Sequence, residues 1–440
     1  MKNVLILGAG LVAKPMVHYL LDQDDVQVTI ATRTLSKAEK ILAGREKGQA
    51  IQLNVEDDAH LEKLIQDADV VVSLLPYVHH VKVARLCLKH GKHMVTTSYV
   101  SDAMKALDAE AKEKGVLLLN EIGLDPGIDH MSAMRIIDDV HRRGGKILSF
   151  KSYCGGLPAP DAVDPCCQYK FSWSPRGVLM AGRNNARYLQ DGKIIEIDGK
   201  ELFKHHWPIR IDELELEYYP NRDSVPYVEL YGIQETRTMF RGTLRFPGWS
   251  RMMYAISQLG LLEETPRIES KGKTNREIVA DIVGLSAENL PQEIARKLGL
   301  SEDDDILKRF EWLGFFSNEP FEQENTTPID FLTSLMLKKL QYEPGERDMI
   351  VLYHDFLAEF PDHNEHITST LIDYGIPGGD TSMSRTVSLP AAIGVKLILD
   401  GKIQETGVKI PVIPEIYNPV LAELERLGIV CKEKTEVLEK

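Results

Sequence analysis

The chain has 440 residues, of which 43% are hydrophobic and 27% charged, with a formal net charge of −14. That length exceeds what one core usually serves, so two or three domains are expected, and the composition excludes long disorder and fibrous repeats. The negative charge argues against non-specific nucleic-acid binding, which needs a cationic surface, and requires any anionic substrate to be met by locally placed arginines.

The opening MKNVLILGAG places only the four apolar residues Val4 to Leu7 before Gly8. A secretory core needs roughly 7 to 15, so this run reads as a buried strand. No later stretch approaches the roughly 18 apolar residues of a membrane span, and the expected location is the cytoplasm. Cys87, Cys154, Cys166, Cys167 and Cys431 are an odd number without a CxxC pair. Neither a disulfide framework nor a metal site is expected.

Short apolar runs then alternate with helical text: NVLILGAG, VQVTIATR, AIQLNV, DVVVSLLP, HMVTTSY and VLLLNEIG. This alternation predicts a parallel sheet with crossover helices, five or six strands within about the first 125 residues. Between them, HLEKLIQDA and HHVKVARLCLKHG read as helices, the second with Val81, Ala84, Leu86 and Leu88 mostly on one side and Gly91 at its end. A helix from about Ile128 to His141 leads into a strand, ILSFKSYCGG. From there to about Gly248 the text is aromatic and Pro-rich, as in a second domain of α+β type. NREIVADIVG, PQEIARKLGL, DILKRFEWLGFF and PIDFLTSLMLKKL form a small helical insertion, after which MIVLYHDFLAEF resumes the sheet. LPAAIGVKLILDG and NPVLAELERLGI read as closing helices.

Gly8, Gly10 and Ala13 form GxGxxA between a strand and a helix. The first glycine allows the tight turn, the second lets backbone approach a pyrophosphate, and the small third residue lets helix and strand pack. An NAD enzyme carries an acid at the end of the second strand; this chain has Thr32, Arg33 and Thr34. Arg33 can pair with a 2′-phosphate, with Thr34 and Lys37 beside it, so NADP is the expected cofactor. The plain alternative is that Arg33 and Lys37 form a solvated surface.

Several later stretches are not generic to nucleotide-binding folds: SLLPY, VTTSYVS, NEIGLDPGIDH, SYCGGLPAP, YKFSWSPRG, YPNRDS and RGTLRFPG. In order, from GAGLVA to the C-terminal KEKTEV, they resemble the glutamate-forming saccharopine dehydrogenases of lysine metabolism. The resemblance implies NADPH-dependent reduction of the imine of L-glutamate and 2-aminoadipate 6-semialdehyde to saccharopine, or the reverse. It implies an α/β fold: a Rossmann-type domain completed by the C-terminus (1–124 and 391–440), an α+β substrate and dimerisation domain (125–260 and 348–390) and a small all-α domain (261–347). A homodimer is implied as well.

Carried over by motif, the resemblance assigns NADP contacts to Gly8, Ala9, Gly10, Leu11 and Val12, to Thr32, Arg33 and Thr34, and to Asn54 and Val55 after the third strand. Leu75, Thr97, Ser98, Leu124, Asp125, Pro126 and Ser174 complete that set. Saccharopine would meet Ser98, Tyr99, Asp125, Arg222, Thr243, Leu244 and Arg245. Asn54 stands where relatives tend to carry Asp, and DAVDPCCQ at 161–168 departs from their Asn-Pro-Leu-Gly.

The residue chemistry points the same way. Saccharopine has three carboxylates, and guanidinium groups bind carboxylates by paired hydrogen bonds, which selects Arg222 and Arg245. Asp125 ends a strand and precedes Pro126 and Gly127, a turn at the carboxyl edge where such sheets bind ligands; otherwise it caps the helix beginning near Ile128. Tyr99 offers a hydroxyl, and Cys154 is either a weak acid or an inert buried thiol. These three are the catalytic candidates, whereas His130 reads as a satisfied structural histidine. A carboxynorspermidine or homospermidine dehydrogenase shares the chemistry but needs acids around an amine. A silent NADP-sensing binding protein would not need Asp125, Tyr99, Arg222 and Thr243 together.

Overall fold

The computed structural model describes residues 1–164 and 166–439; Pro165, within DAVDPCCQ, and the terminal Lys440 lie outside the described residues. Contacts divide the chain into two units, one of Met1–Ile147, Leu230–Ile233 and Phe356–Lys440, the other of Leu148–Glu229 and Gln234–Asp355.

The first unit is built on strands β1 (Lys2–Leu7), β2 (Val26–Thr32), β3 (Gly48–Gln52), β4 (Val70–Ser73), β5 (His93–Val95) and β6 (Leu117–Leu119). All pair in parallel, in the order β6-β5-β4-β1-β2-β3, and Gly407–Lys409 adds a seventh parallel strand beside β6. The sheet is covered on both faces, which is why its strands are continuous apolar runs: Val4, Leu5, Ile6 and Leu7 are all buried. Strand order reverses between the parallel neighbours β1 and β4, which are paired up to Leu7 opposite Ser73. In sheets of this kind the crevice beyond the carboxyl ends at that reversal receives the ligand.

Helices α1 (Ala13–Leu21), α2 (Leu35–Leu42), α3 (Asp58–Gln66) and α4 (His80–His90) connect these strands. On α4 the buried residues are His80, Val83, Ala84, Cys87 and Leu88, while Val81 and Leu86 are only partly buried. Ala84 and Leu88 are buried as expected, and the correction concerns Val81 and Leu86. The i, i+3, i+4, i+7, i+8 spacing of a helix stripe selects the buried set, and it includes a histidine that a hydrophobicity reading passes over. The closing helix also begins earlier than LPAAIG, at Ser382, because Thr381 accepts a bond from Ser384 N and starts it about two turns upstream. Asn364–Tyr374 and Lys432–Leu438 form an antiparallel pair, the second of which, KEKTEVL, is too charged to read as a strand from hydrophobicity.

In the second unit Thr238–Arg245 is central. It runs parallel to the strand Lys146–Pro158 and antiparallel to Leu214–Pro220, which pairs in turn with Trp207–Ile211. The helical insertion comprises Asn275–Val283, Leu290–Leu298, Asp305–Leu313 and Pro328–Lys339. Thr274 and Glu277 form a reciprocal capping box at the first of these, and Phe310 stacks on Phe315 in its core. Among the described residues no helix is long and apolar enough to cross a membrane.

Candidate active site

The turn after β1 is shaped by close packing. Gly8 has φ of +112°, and a Cβ there would lie 3.0 Å from the Leu74 carbonyl oxygen at the end of β4. Only glycine fits that approach. At Gly10 a Cβ would meet nothing within 4 Å, and Leu11 is 68% exposed, so the backbone from Gly8 to Val12 borders open space. Val12 precedes α1 without a side-chain cap; Ala13 N already donates to Gly10 O and Pro15 has no N–H, so little of the first turn besides Lys14 N can serve an anion. Beyond β2, Arg33, Thr34 and Lys37 are exposed, and Thr34 makes no capping bond to α2. A cationic, hydroxyl-bearing rim with no acid at its centre suits a 2′-phosphate, so these residues fit NADP. Asn54 is exposed, with its side-chain oxygen accepting from Glu56 N, and Val55 and Leu75 are half-buried.

The carboxyl ends of β5 and β6 bring two of the three catalytic candidates, Tyr99 and Asp125, together. Tyr99 donates its hydroxyl to Asp125 Oδ1 at 2.9 Å, across 26 residues of sequence. Asp125 sits at the tip of a closed loop: Gly123 N donates to Pro126 O, Ile128 N to Gly123 O and Asp129 N to Leu124 O. A Cβ on Gly127 would come within 2.0 Å of the Gly123 carbonyl oxygen, so the tight return needs glycine. The helix Ile128–Arg142 is preceded by Gly127 as N-cap, and Asp129 accepts from Gly127 N. Asp125 is therefore not the cap. Leu124 and Pro126 are buried, while Thr97, Ser98, Tyr99 and Asp125 are half-buried along the same edge.

Sequence reading missed what holds Tyr99 in place. Glu121, buried with a left-handed φ of 57°, donates from its backbone N to Ser98 O and accepts at Oε1 from Val100 N. Tyr99 lies between these two bonds. Glu121 Oε2 lies 2.9 Å from His130 Nε2, and His130 Nδ1 lies 2.5 Å from the Tyr231 hydroxyl. His130 is thus the satisfied buried histidine expected of it. A left-handed conformation in a side chain other than Gly or Asn leaves no trace in composition; the acid next to a strand end was the one available signal. His80 was also missed: it is buried and bridges Ser73 to Ser98.

In the second unit, parallel register sets Cys154 opposite Thr243. Cys154 is buried, and the next residue must be glycine because a Cβ on Gly155 would lie 2.7 Å from Leu244 backbone. Leu244 is itself fully buried, backbone included. Arg245 is buried with Cζ 4.9 Å from the Tyr169 ring and 5.6 Å from the Trp249 ring, and donates from Nη1 to Leu244 O. Among the described residues Arg245 Nε and Trp249 Nε1 have no hydrogen-bond partner. Buried donors are normally satisfied, and an unsatisfied guanidinium N–H with an unsatisfied indole N–H on the adjacent Trp249 suits an anionic guest. Arg222 is exposed in a left-handed turn beyond Pro220. Ser174 is the N-cap of the helix Pro175–Ala181, accepting from Gly177 N, so its hydroxyl proton is what it has left to donate.

Residues 4–119 match the saccharopine dehydrogenase NADP binding domain and residues 123–429 the saccharopine dehydrogenase C-terminal domain. A saccharopine dehydrogenase (NADP+, L-glutamate-forming) of Saccharomyces cerevisiae is 44% identical over 444 residues, and one of Schizosaccharomyces pombe 41% over 448; each comparison covers 99% of both chains. The solved apo, histidine-tagged saccharopine dehydrogenase (L-Glu forming) from Saccharomyces cerevisiae gives a TM-score of 0.88 at 43% identity, over 99% of this chain and 100% of that one. With both domain models matched in order and relatives alike over the whole length, the chain belongs to the saccharopine dehydrogenase family.

Proposed function

We propose that this chain catalyses the NADPH-dependent reduction of the imine of L-glutamate and L-2-aminoadipate 6-semialdehyde to saccharopine, and the reverse oxidation. The observation that carries the reading is the Tyr99–Asp125 hydrogen bond at the carboxyl edge of a sheet whose glycine turn and Arg33 rim suit NADP. NADPH, when bound, supplies the hydride. The chain's own residues bind, orient and move protons. Backbone from Gly8 through Val12 receives the pyrophosphate; Arg33 and Thr34 receive the 2′-phosphate, with Thr32, Asn54, Val55, Leu75, Thr97, Leu124, Pro126 and Ser174 as further contacts.

Condensation of amine with aldehyde releases water, and reduction adds one proton to the nitrogen for each hydride added to carbon. Asp125 takes and returns protons at that nitrogen, held by Tyr99, with Cys154 beside Thr243 as a weak acid. Arg245, with its unsatisfied Nε, and Arg222 bind carboxylates. We assign 1–124 with 391–440 to the cofactor, 125–260 with 348–390 to substrate and dimer formation, and 261–347 to a helical accessory domain. A cytoplasmic homodimer completes the proposal.

The test is NADPH consumption with aminoadipate semialdehyde plus glutamate, run beside putrescine and diaminopropane. Turnover confined to the first pair supports the assignment; turnover with the diamines alone replaces it with polyamine chemistry.

A further inference from the structure

His80 opens α4 with only 4% of its surface exposed. Its Nδ1 is 2.8 Å from Ser73 Oγ, at the end of β4, and its Nε2 is 2.8 Å from Ser98 Oγ and 3.4 Å from Thr96 Oγ1. Burial, with a smaller contribution from His79, pushes the imidazole down to about 4, so near neutral pH the ring is uncharged. A neutral ring has one N–H and one lone pair, and the tautomer decides what each serine can do.

The Thr96 contact is the basis for assigning which nitrogen carries the proton. Its hydroxyl donates to the Ser73 carbonyl oxygen at 2.9 Å, so toward Nε2 its oxygen can only accept. Nε2 is then the N–H, shared between Ser98 Oγ and Thr96 Oγ1, and Nδ1 accepts from the Ser73 hydroxyl. Because the Ser98 oxygen accepts from His80, the Ser98 proton remains available to another acceptor.

We infer that His80 is a positioning residue that donates from Nε2 to Ser98 and thereby holds the Ser98 hydroxyl as a donor toward an oxygen of the bound ligand. The complementary group is a carboxamide oxygen, if Ser98 meets the nicotinamide, or a carboxylate, if it meets the substrate. The inference rests on the proposed contact between Ser98 and ligand.

The test compares His80→Gln, whose amide nitrogen reaches the place of Nε2, with His80→Asn, which reaches only the place of Nδ1. Calorimetric NADPH binding without substrate and the KM for glutamate separate the two ligand sources. His80→Asn is expected to weaken one of them about three- to tenfold, the size of one neutral hydrogen bond. His80→Gln should stay within about threefold of the parent, and adding His80→Asn to Ser98→Ala should cost nothing beyond Ser98→Ala. Equal behaviour of the Gln and Asn variants, or losses that multiply with Ser98→Ala, overturns the inference. A defect in Ser98→Ala with none in His80→Asn refutes only the role of His80, whereas normal binding and kinetics in Ser98→Ala refute the ligand contact itself. Independently of any variant's folding, ¹⁵N shifts of labelled histidine in the parent should report the Nε2–H tautomer at His80; the Nδ1–H form overturns the proposal.

Discussion

Replacing Asp125 by Asn removes a proton acceptor while keeping shape. The Tyr99 hydroxyl still finds an oxygen at the position of Oδ1, 2.9 Å away, so the bond changes from charge-assisted to neutral rather than disappearing. A charged hydrogen bond contributes roughly 1.5–3 kcal/mol and a neutral one roughly 0.5–1.5. Asp125 is half-buried, so solvent reduces the difference to about 1 kcal/mol at most. The helix that follows is unaffected, since its N-cap is Gly127 and the side chain serving that turn is Asp129. General acid–base action contributes about 10² to 10⁴ in rate, equivalent to about 3–5 kcal/mol. Turnover should therefore fall on that scale while denaturant unfolding shows a change several times smaller. Steady-state rates from pH 6 to 9, with calorimetric cofactor binding as control, make the comparison. Turnover within a few fold of the parent across that range would refute the role and move the proton chemistry to Tyr99, Cys154 or water.

Arg33→Ala should selectively weaken NADPH in a parent that binds NADPH at least tenfold more tightly than NADH, about 1.4 kcal/mol; equal dissociation constants for the two in the parent refute the 2′-phosphate reading. Arg222→Ala should raise the KM for glutamate or saccharopine about ten- to a hundredfold with cofactor affinity unchanged, and normal substrate kinetics would make Arg222 structural. Stability should fall with acid through His80: its folded value of about 4 lies below the ordinary 6.5, so the stabilisation is complete above pH 6.5 and is lost as pH drops toward 4. A gap of that size corresponds to about 3 kcal/mol, roughly 2 of which is gone by pH 5. Denaturant unfolding at pH 7.5 and 5 should show that dependence in the parent and a smaller one in His80→Gln; equal dependence in both would exonerate the histidine.

Local periodicity and backbone geometry dictate the features that are legible in the amino-acid sequence. Continuous apolar runs separated by helical text specify a doubly covered parallel sheet, and the positive φ at Gly8 and Gly127 is legible as glycine at two turns. The missing acid at Arg33 is a local fact as well. Tertiary structure alone decided which groups meet. Tyr99 and Asp125 are 26 residues apart, and His130 and Tyr231 are 101 apart. The bracket of Glu121 around Tyr99, the alignment of Cys154 with Thr243 and the aromatic enclosure of Arg245 follow from strand order and register. The α4 face shows the reason most directly. Its stripe includes His80, a residue that belongs inside only because Ser73 and Ser98, from two other strand ends, satisfy both ring nitrogens once the sheet has formed.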